Sequence, residues 1–237
     1  MTEHGREVAD TRFRNVYARD VVVRGGWFER VDIDAALIDV TVNGVDIGPL
    51  VEAELNRRDP ERHLIHPVDA DEVRAGWAMT ERRWAATVER ARALPPDLLH
   101  ERVDDEWSFI ETLRHLVMAT DAWVLRVIEG DPRPWSPLGL PHDEMGEIPG
   151  VPSDQTMRPS LEEVLAVRGE RMAAVGRLVA SLTDADLDQM TEPVTEPGYP
   201  ASTSYRVGRV LEGVLVEEFL HREYAERDLA VLEARHS

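Results

Sequence analysis

The chain has 237 residues, 43% of them hydrophobic and six of them tryptophan, with a formal net charge of −19. That length and apolar content support one domain with an appendage, or two small domains, around a sizeable core. The charge repels polyphosphates and anionic lipid surfaces, so nucleic acid and membrane are excluded as partners. Cysteine is absent, which excludes disulfides, thiolate metal sites and a cysteine nucleophile. No apolar run reaches the ~18 residues of a membrane span. The first residues, Met1 to Glu7, are polar and lack the apolar core of a signal peptide, which predicts a cytoplasmic protein. All 27 basic residues are arginine.

Residues 1–62 read as an N-terminal, β-rich extension. Between 13 and 48, short β-branched stretches (Val21 to Val23, Val31, Ile33, Val40, Val42) alternate with Gly25-Gly26 and Asn43-Gly44, a pattern of short strands and turns. Its spacing is faintly like that of pentapeptide-type β-coils but irregular. A short helix is predicted from Gly48 to Leu55, followed by a polar linker, Asn56 to Arg62.

Residues 63–237 read as helical. The first long helix is predicted over 69–93, capped by Asp69 or Asp71, with Val73, Trp77, Trp84, Val88 and Ala91 on one stripe. The second opens on Ser108-Phe-Ile-Glu111, a capping box, and runs to Gly130. A loop carrying Pro132, Pro134, Pro137, Pro141, Pro149 and Pro152 is too long for a simple connector, so it caps something or forms a lid. The third helix opens on a second capping box, Ser160 to Glu163, and ends near Leu182. After a loop over 190–204, the fourth covers 206–233. Four amphipathic helices of this length with long crossovers imply a mainly α fold, a four-helix bundle.

Chemistry is suggested in the last helix. Glu217 stands four residues before His221, so both lie on one helical face, and Glu218 flanks them. Val207, Val210, Val214, Ala225 and Leu232 share the arc, where an unpaired charge is costly unless it binds a metal or a partner. Two readings stand at this point: a metal or catalytic cluster, or carboxylates paired with arginines of a neighbouring helix. The second helix offers His115, which lies opposite the Leu113, Val117 and Val124 arc, beside Ala119 and Ala122. That position is either a close helix seam or a solvated face. Imidazole with carboxylate suits Zn, Ni, Fe or Mn and leaves positions open for water or substrate. His63 and His66 read as solvated or capping, and His142 as a surface residue that could overhang the site. Trp77, Trp84, Trp107 and Trp123 read as core.

Two segments carry a family resemblance: Glu106-Trp-Ser-Phe-Ile-Glu-Thr-Leu-Arg-His115-Leu in the second helix, and Leu215-Val-Glu-Glu-Phe-Leu-His221-Arg-Glu-Tyr-Ala-Glu-Arg-Asp-Leu229 in the fourth. Over about residues 69–233 the chain resembles the DinB/YfiT-like superfamily of four-helix-bundle metalloenzymes. The resemblance implies a metal held by His115, Glu217 and His221. Glu217 stands where the family has a histidine in a His-x-x-x-His motif, so either the site is of a two-histidine, one-carboxylate type or it has drifted and no longer binds metal. It also implies, as a class, a transferase or isomerase that uses a mycothiol-like low-molecular-weight thiol against a small-molecule electrophile. Glu218 or Asp228 would act as base or orient the ligands, and Arg114 or Arg222 would hold substrate carboxylates. The alternative is a non-catalytic bundle that binds a small molecule or partner through a buried polar network. In either case the N-terminal segment is a candidate for homodimer formation.

Overall fold

Capping chemistry sets where the long helices start. In the computed structural model, which describes residues 9, 11, 16, 18–33, 35, 37–143 and 145–236, Asp69 accepts from the Glu72 N–H and opens α2, Ala70–Arg92. Ser108 and Glu111 exchange hydrogen bonds as a full capping box at the start of α3, Phe109–Thr120, and Ser160 and Glu163 do the same at α4, Leu161–Ser181. Each satisfies backbone donors that the first turn leaves unpaired. A one-turn helix α5, Asp184–Leu187, precedes α6, Val207–His236. α1, Gly48–Arg58, comes before them all.

The chain divides into two units, Met1–Pro49 and Leu50–Ser237. In the first, β1 (Thr41–Val42) and β2 (Val45–Asp46) form an antiparallel hairpin with Val42 opposite Val45. Asn43 and Gly44 both take positive φ, 52° and 82°, the pairing that a two-residue hairpin turn requires. Among the described residues these are the only strands of a ladder, so the β-rich expectation narrows to one hairpin. Asp20, Gly25, Arg30 and Asp39 also take left-handed backbone. Residues 13–15 and His4 lie outside the described residues.

In the second unit, the predicted linker is helix and turn. Asp59 takes both Arg83 donors at 2.5 and 2.7 Å, Glu61 takes Arg82 at 2.6 and 2.8 Å, and Arg62 pairs with Glu52 at 2.5 Å. These charges hold the stretch against α2, so it does not move free of the bundle. His66 pairs with Glu212 of α6 at 2.9 Å, and His63 caps the Pro60 carbonyl at 2.8 Å.

The four long helices form a ring in which α2 and α3 each pack against both α4 and α6. The core has two apolar clusters. One gathers Trp77, Val124, Val175, Leu211, Leu215 and Phe219, and the other Trp84, Phe109, Leu113, Leu116, Val164 and Leu229. A charged contact joins α4 to α6 beside them: Arg168 and Glu218, both almost fully buried, bond through two N–H···O contacts of 3.1 and 2.6 Å. The Arg168 guanidinium also lies 4.8 Å over the Trp84 ring.

α3 is buried on nearly every side, a pattern that a surface helix does not show. After Thr120 it runs on without a break as a π-helix, Asp121–Ile128. The proline-rich loop covers its outer face, and buried charges hold it there. Arg114, fully buried, donates to the carbonyls of Leu138 (2.9 Å), Met157 (3.2 Å) and Asp154 (2.6 Å). Asp121 accepts from the Ser136 N–H at 2.7 Å and from Arg171 at 2.8 Å. Arg126 reaches Pro132 in this loop and Glu196 in the next. A guanidinium presents five donors in a fixed fork, which suits it to gathering several carbonyls at once. No described helix is long and apolar enough to cross a membrane.

A Cβ added at Gly76 in α2 would sit 2.6 Å from the Leu64 carbonyl oxygen. Helix propensity favours Gly76→Ala by about 1 kcal/mol. A backbone clash this close costs more, in the ~1–3 kcal/mol range of overpacking. The variant is therefore expected to lower the thermal midpoint in differential scanning calorimetry.

Candidate metal centre

Three side chains from two helices converge where α3 meets α6. His115 projects from the middle of α3, and Glu217 and His221 stand one turn apart on α6. Their candidate ligand atoms all lie within 4.8 Å of one another. His115 is buried and its Nε2 faces Glu217 Oε1 at 2.9 Å. Its Nδ1 meets the Leu140 carbonyl of the covering loop at 3.1 Å. His221 directs Nδ1 to the Glu217 backbone carbonyl at 2.9 Å, with Glu217 Oε1 3.8 Å away. The seam reading of His115 therefore holds, and the solvated-face reading does not.

The hydrogen-bond roles constrain what fits there. A neutral imidazole carries one N–H. In both histidines Nδ1 faces a carbonyl, an obligate acceptor, so the N–H belongs on Nδ1 and the Nε2 lone pair is left free. For His115 that lone pair points at a carboxylate oxygen. Two acceptors face each other at hydrogen-bond distance, and this arrangement is satisfied by a cation between them, a proton or a metal ion. Ligating histidines held by a backbone carbonyl on the second nitrogen are the usual way a protein fixes tautomer and ring plane. The donor set thus fits a divalent ion.

Electrostatics favour the same occupant. Burial pushes the Glu217 carboxyl up, but its 2.9 Å contact with His115 and the nearness of the His221, His115 and His142 imidazoles outweigh it and hold the group below its ordinary value. Burial, the largest effect, holds His221 below the usual imidazole range against the pull of Glu217. A carboxylate that stays ionised beside an imidazole that stays neutral is the protonation pattern that metal coordination needs.

Aromatic rings pack around the cluster. Trp107, just before the α3 cap, lies 4.6 Å from the His115 ring and stacks on His221 at 6.1 Å, and the two imidazoles stack at 4.8 Å. Tyr224 meets His221 edge-on. Trp107 was expected in the core, and its place against both imidazoles is not visible in helical periodicity. Its one sequence signal is its position immediately before the capping serine of the histidine-bearing helix. The Leu140 carbonyl had no signal at all, since it comes from the loop. His142 does come near enough for its charge to act on Glu217.

Other expected site residues are engaged elsewhere. Glu218 gives both oxygens to Arg168 inside the core. Asp228 is held by Arg227 at 2.7 and 3.2 Å. Arg114 is spent on loop carbonyls. Arg222 donates to Thr87 at 2.9 Å and pairs with Glu223 and Glu226. The reading of carboxylates paired with arginines of another helix thus describes Glu218, while its neighbour Glu217 faces the histidines.

A cleft of about 350 Å³ runs from Glu217 between α3 and α6. Its walls are largely apolar, with Leu116, Trp123, Val210 and Val214, and Tyr205 lies beside Trp123 with ring centres 5.4 Å apart.

A family model described as the DinB superfamily matches residues 79–225, more than half of the chain and the whole span from α2 into α6 that carries the cluster. No curated protein and no solved structure matches the chain at a significant level.

Glu218→Ala leaves a buried guanidinium without its partner, a change that costs about 3–5 kcal/mol. The expected result is a large drop in the urea midpoint. Glu218→Gln keeps the shape and one hydrogen-bond acceptor, and should retain metal binding in the folded protein. Loss of metal from folded Glu218→Gln would assign Glu218 to the centre instead of to the core.

Proposed function

The chain belongs to the DinB superfamily, and for it we propose a metal-dependent enzyme that transfers a low-molecular-weight thiol to a small electrophile. The observation that carries this reading is the pair of free Nε2 lone pairs and the Glu217 carboxylate on one side, with both Nδ1 atoms tied to backbone carbonyls on the other. Such a set would hold Zn, Ni, Fe or Mn through two imidazoles and one carboxylate, and the ion, when bound, would supply the Lewis acidity that makes a thiol or water nucleophilic at neutral pH. His115 and His221 are oriented by Leu140 and by the α6 backbone. Glu217 supplies the negative charge. Trp107 shields the imidazoles, and the apolar cleft keeps water from the reacting groups. In the transfer, the thiol sulfur bonds to the electrophilic carbon, the leaving group departs with its electron pair, and the thiol proton passes to solvent.

A non-catalytic reading rests on the same 2.9 Å contact between His115 and Glu217, taken as an ordinary hydrogen bond in a polar network. Metal analysis separates the two. Purified protein, or protein reconstituted with Zn²⁺ or Ni²⁺, is expected to hold stoichiometric metal that His115→Ala, Glu217→Ala and His221→Ala each lose. Thiol conjugation to 1-chloro-2,4-dinitrobenzene should fall in those variants by more than about 100-fold, beyond the range typical of groups that only orient ligands. Absence of metal after reconstitution would leave the polar network as the account of the cluster.

Because Trp107 lies against both imidazoles, Ni²⁺ or Co²⁺ at the centre should quench its fluorescence. The quench is expected to disappear in Trp107→Phe while metal content stays.

A further inference from the structure

The cleft beside Glu217 has two chemically different ends. Glu217 stands at one, with the Arg168-paired Glu218 next to it on the lining. At the other, Arg206 and Arg209 are the only cations that line it. Between them the wall is Leu116, Trp123, Tyr205, Val210 and Val214, which offers a ligand aromatic and aliphatic surface and few hydrogen-bond partners. Arg209 and Glu217 are eight residues apart on one helix, so the two ends are separated by about 12 Å.

Gly213 lies midway along this stripe. Glycine inside a helix costs about 1 kcal/mol relative to alanine, and in the second unit some glycines have a packing reason. A Cβ at Gly208 of the same helix would come within 3.0 Å of the Leu187 carbonyl oxygen. At Gly213 a Cβ would meet nothing within 4 Å. What the missing side chain keeps open is the floor of the cleft.

From this we infer that the cleft is the subsite for the electrophilic substrate, and that the substrate is an amphipathic acid, with an aryl or alkyl body along the wall and one carboxylate at Arg206 and Arg209. The inference rests on the metal reading for the reacting end and goes beyond it in assigning the rest of the molecule. The volume is at the small end of the ~300–1,000 Å³ usual for small-molecule sites. Arg206 and Arg209 each already hold one carboxylate, Asp188 and Glu212 respectively. A guanidinium has five donors and can take a second carboxylate on its free edge. On a chain of charge −19 these two arginines give an anion a local reason to bind at the cleft.

The test is isothermal titration calorimetry on the metal-loaded protein with 4-phenylbutyrate and its uncharged amide, with metal content measured on the same samples. The acid should bind more tightly than the amide. Gly213→Leu, which replaces a poor helix former by a good one, should keep its fold and its metal and lose at least about tenfold in affinity for both probes as the floor fills. The Arg206→Gln, Arg209→Gln double variant should weaken the acid by about tenfold and leave the amide unchanged. Equal binding of acid and amide to the native protein sinks the anionic end, and unchanged binding in Gly213→Leu sinks the cleft. If the protein holds no metal yet both variants behave as stated, the subsite stands and the metal reading falls.

Discussion

The buried ion pair between Arg168 and Glu218 is the constraint on which the rest of this bundle depends. Two charges taken out of water cost several kcal/mol each, and the cost is recovered only when both oxygens meet both donors in one geometry. Apolar side chains in the two flanking clusters could slide by part of a turn and still be buried. The ion pair cannot. It sets the rotation of α6 about its own axis, and Glu217, one residue away and so about 100° around the helix, is thereby turned toward α3. The same rotation carries His221, one turn further on, to the same seam. The pair also answers why two adjacent glutamates on one helix play different parts: one is locked across the core, and the other is presented to the histidines.

A second use of arginine explains how loops of this length stay in place. Arg114, Arg126 and Arg171 reach from helices into the proline-rich segments and bond backbone carbonyls that would otherwise be unpaired under cover. The loop after the π-helix is therefore part of the centre: its Leu140 carbonyl holds His115 in the tautomer that presents Nε2. The π-helix itself widens the end of α3 beside the cleft, where Trp123 forms part of the wall. Extra-wide turns of this kind are frequent at functional sites.

Together these features make a cluster in which both histidines are fixed from behind. Both Nδ1 atoms are tied to main chain, the two imidazoles stack on each other with Trp107 packed against both, and the carboxylate faces a lone pair across 2.9 Å. Preorganisation of this sort removes an ordering cost from binding. The cleft that opens beside it adds a direction, from the candidate ligand Glu217 along an apolar wall to a pair of cations.

Much of the architecture was legible without coordinates because it is local. Asp69, Ser108 and Ser160 marked helix starts through capping patterns that span three or four residues, and Asn43-Gly44 marked a hairpin turn through its positive φ. The i, i+4 spacing put Glu217 and His221 on one face by helical geometry alone, and the motif around Trp107 and His115 supplied the partner helix. Tertiary structure decided what depends on contacts far apart in sequence. It took Glu218 out of the role of base or orienter expected for it beside Glu217, because Arg168 lies 50 residues away from Glu218 in the chain and no periodicity reveals which acid it will take. It converted Arg114 and Arg222 from expected substrate contacts to internal donors, and turned the stretch 56–62 from linker to part of the bundle. It also gave His115 its second hydrogen bond, from a loop carbonyl whose residue type carries no signal. Helical phase and capping act between near neighbours and are written in the sequence; ion-pair choice and the facing of acceptors are settled only when distant segments compete for the same buried space.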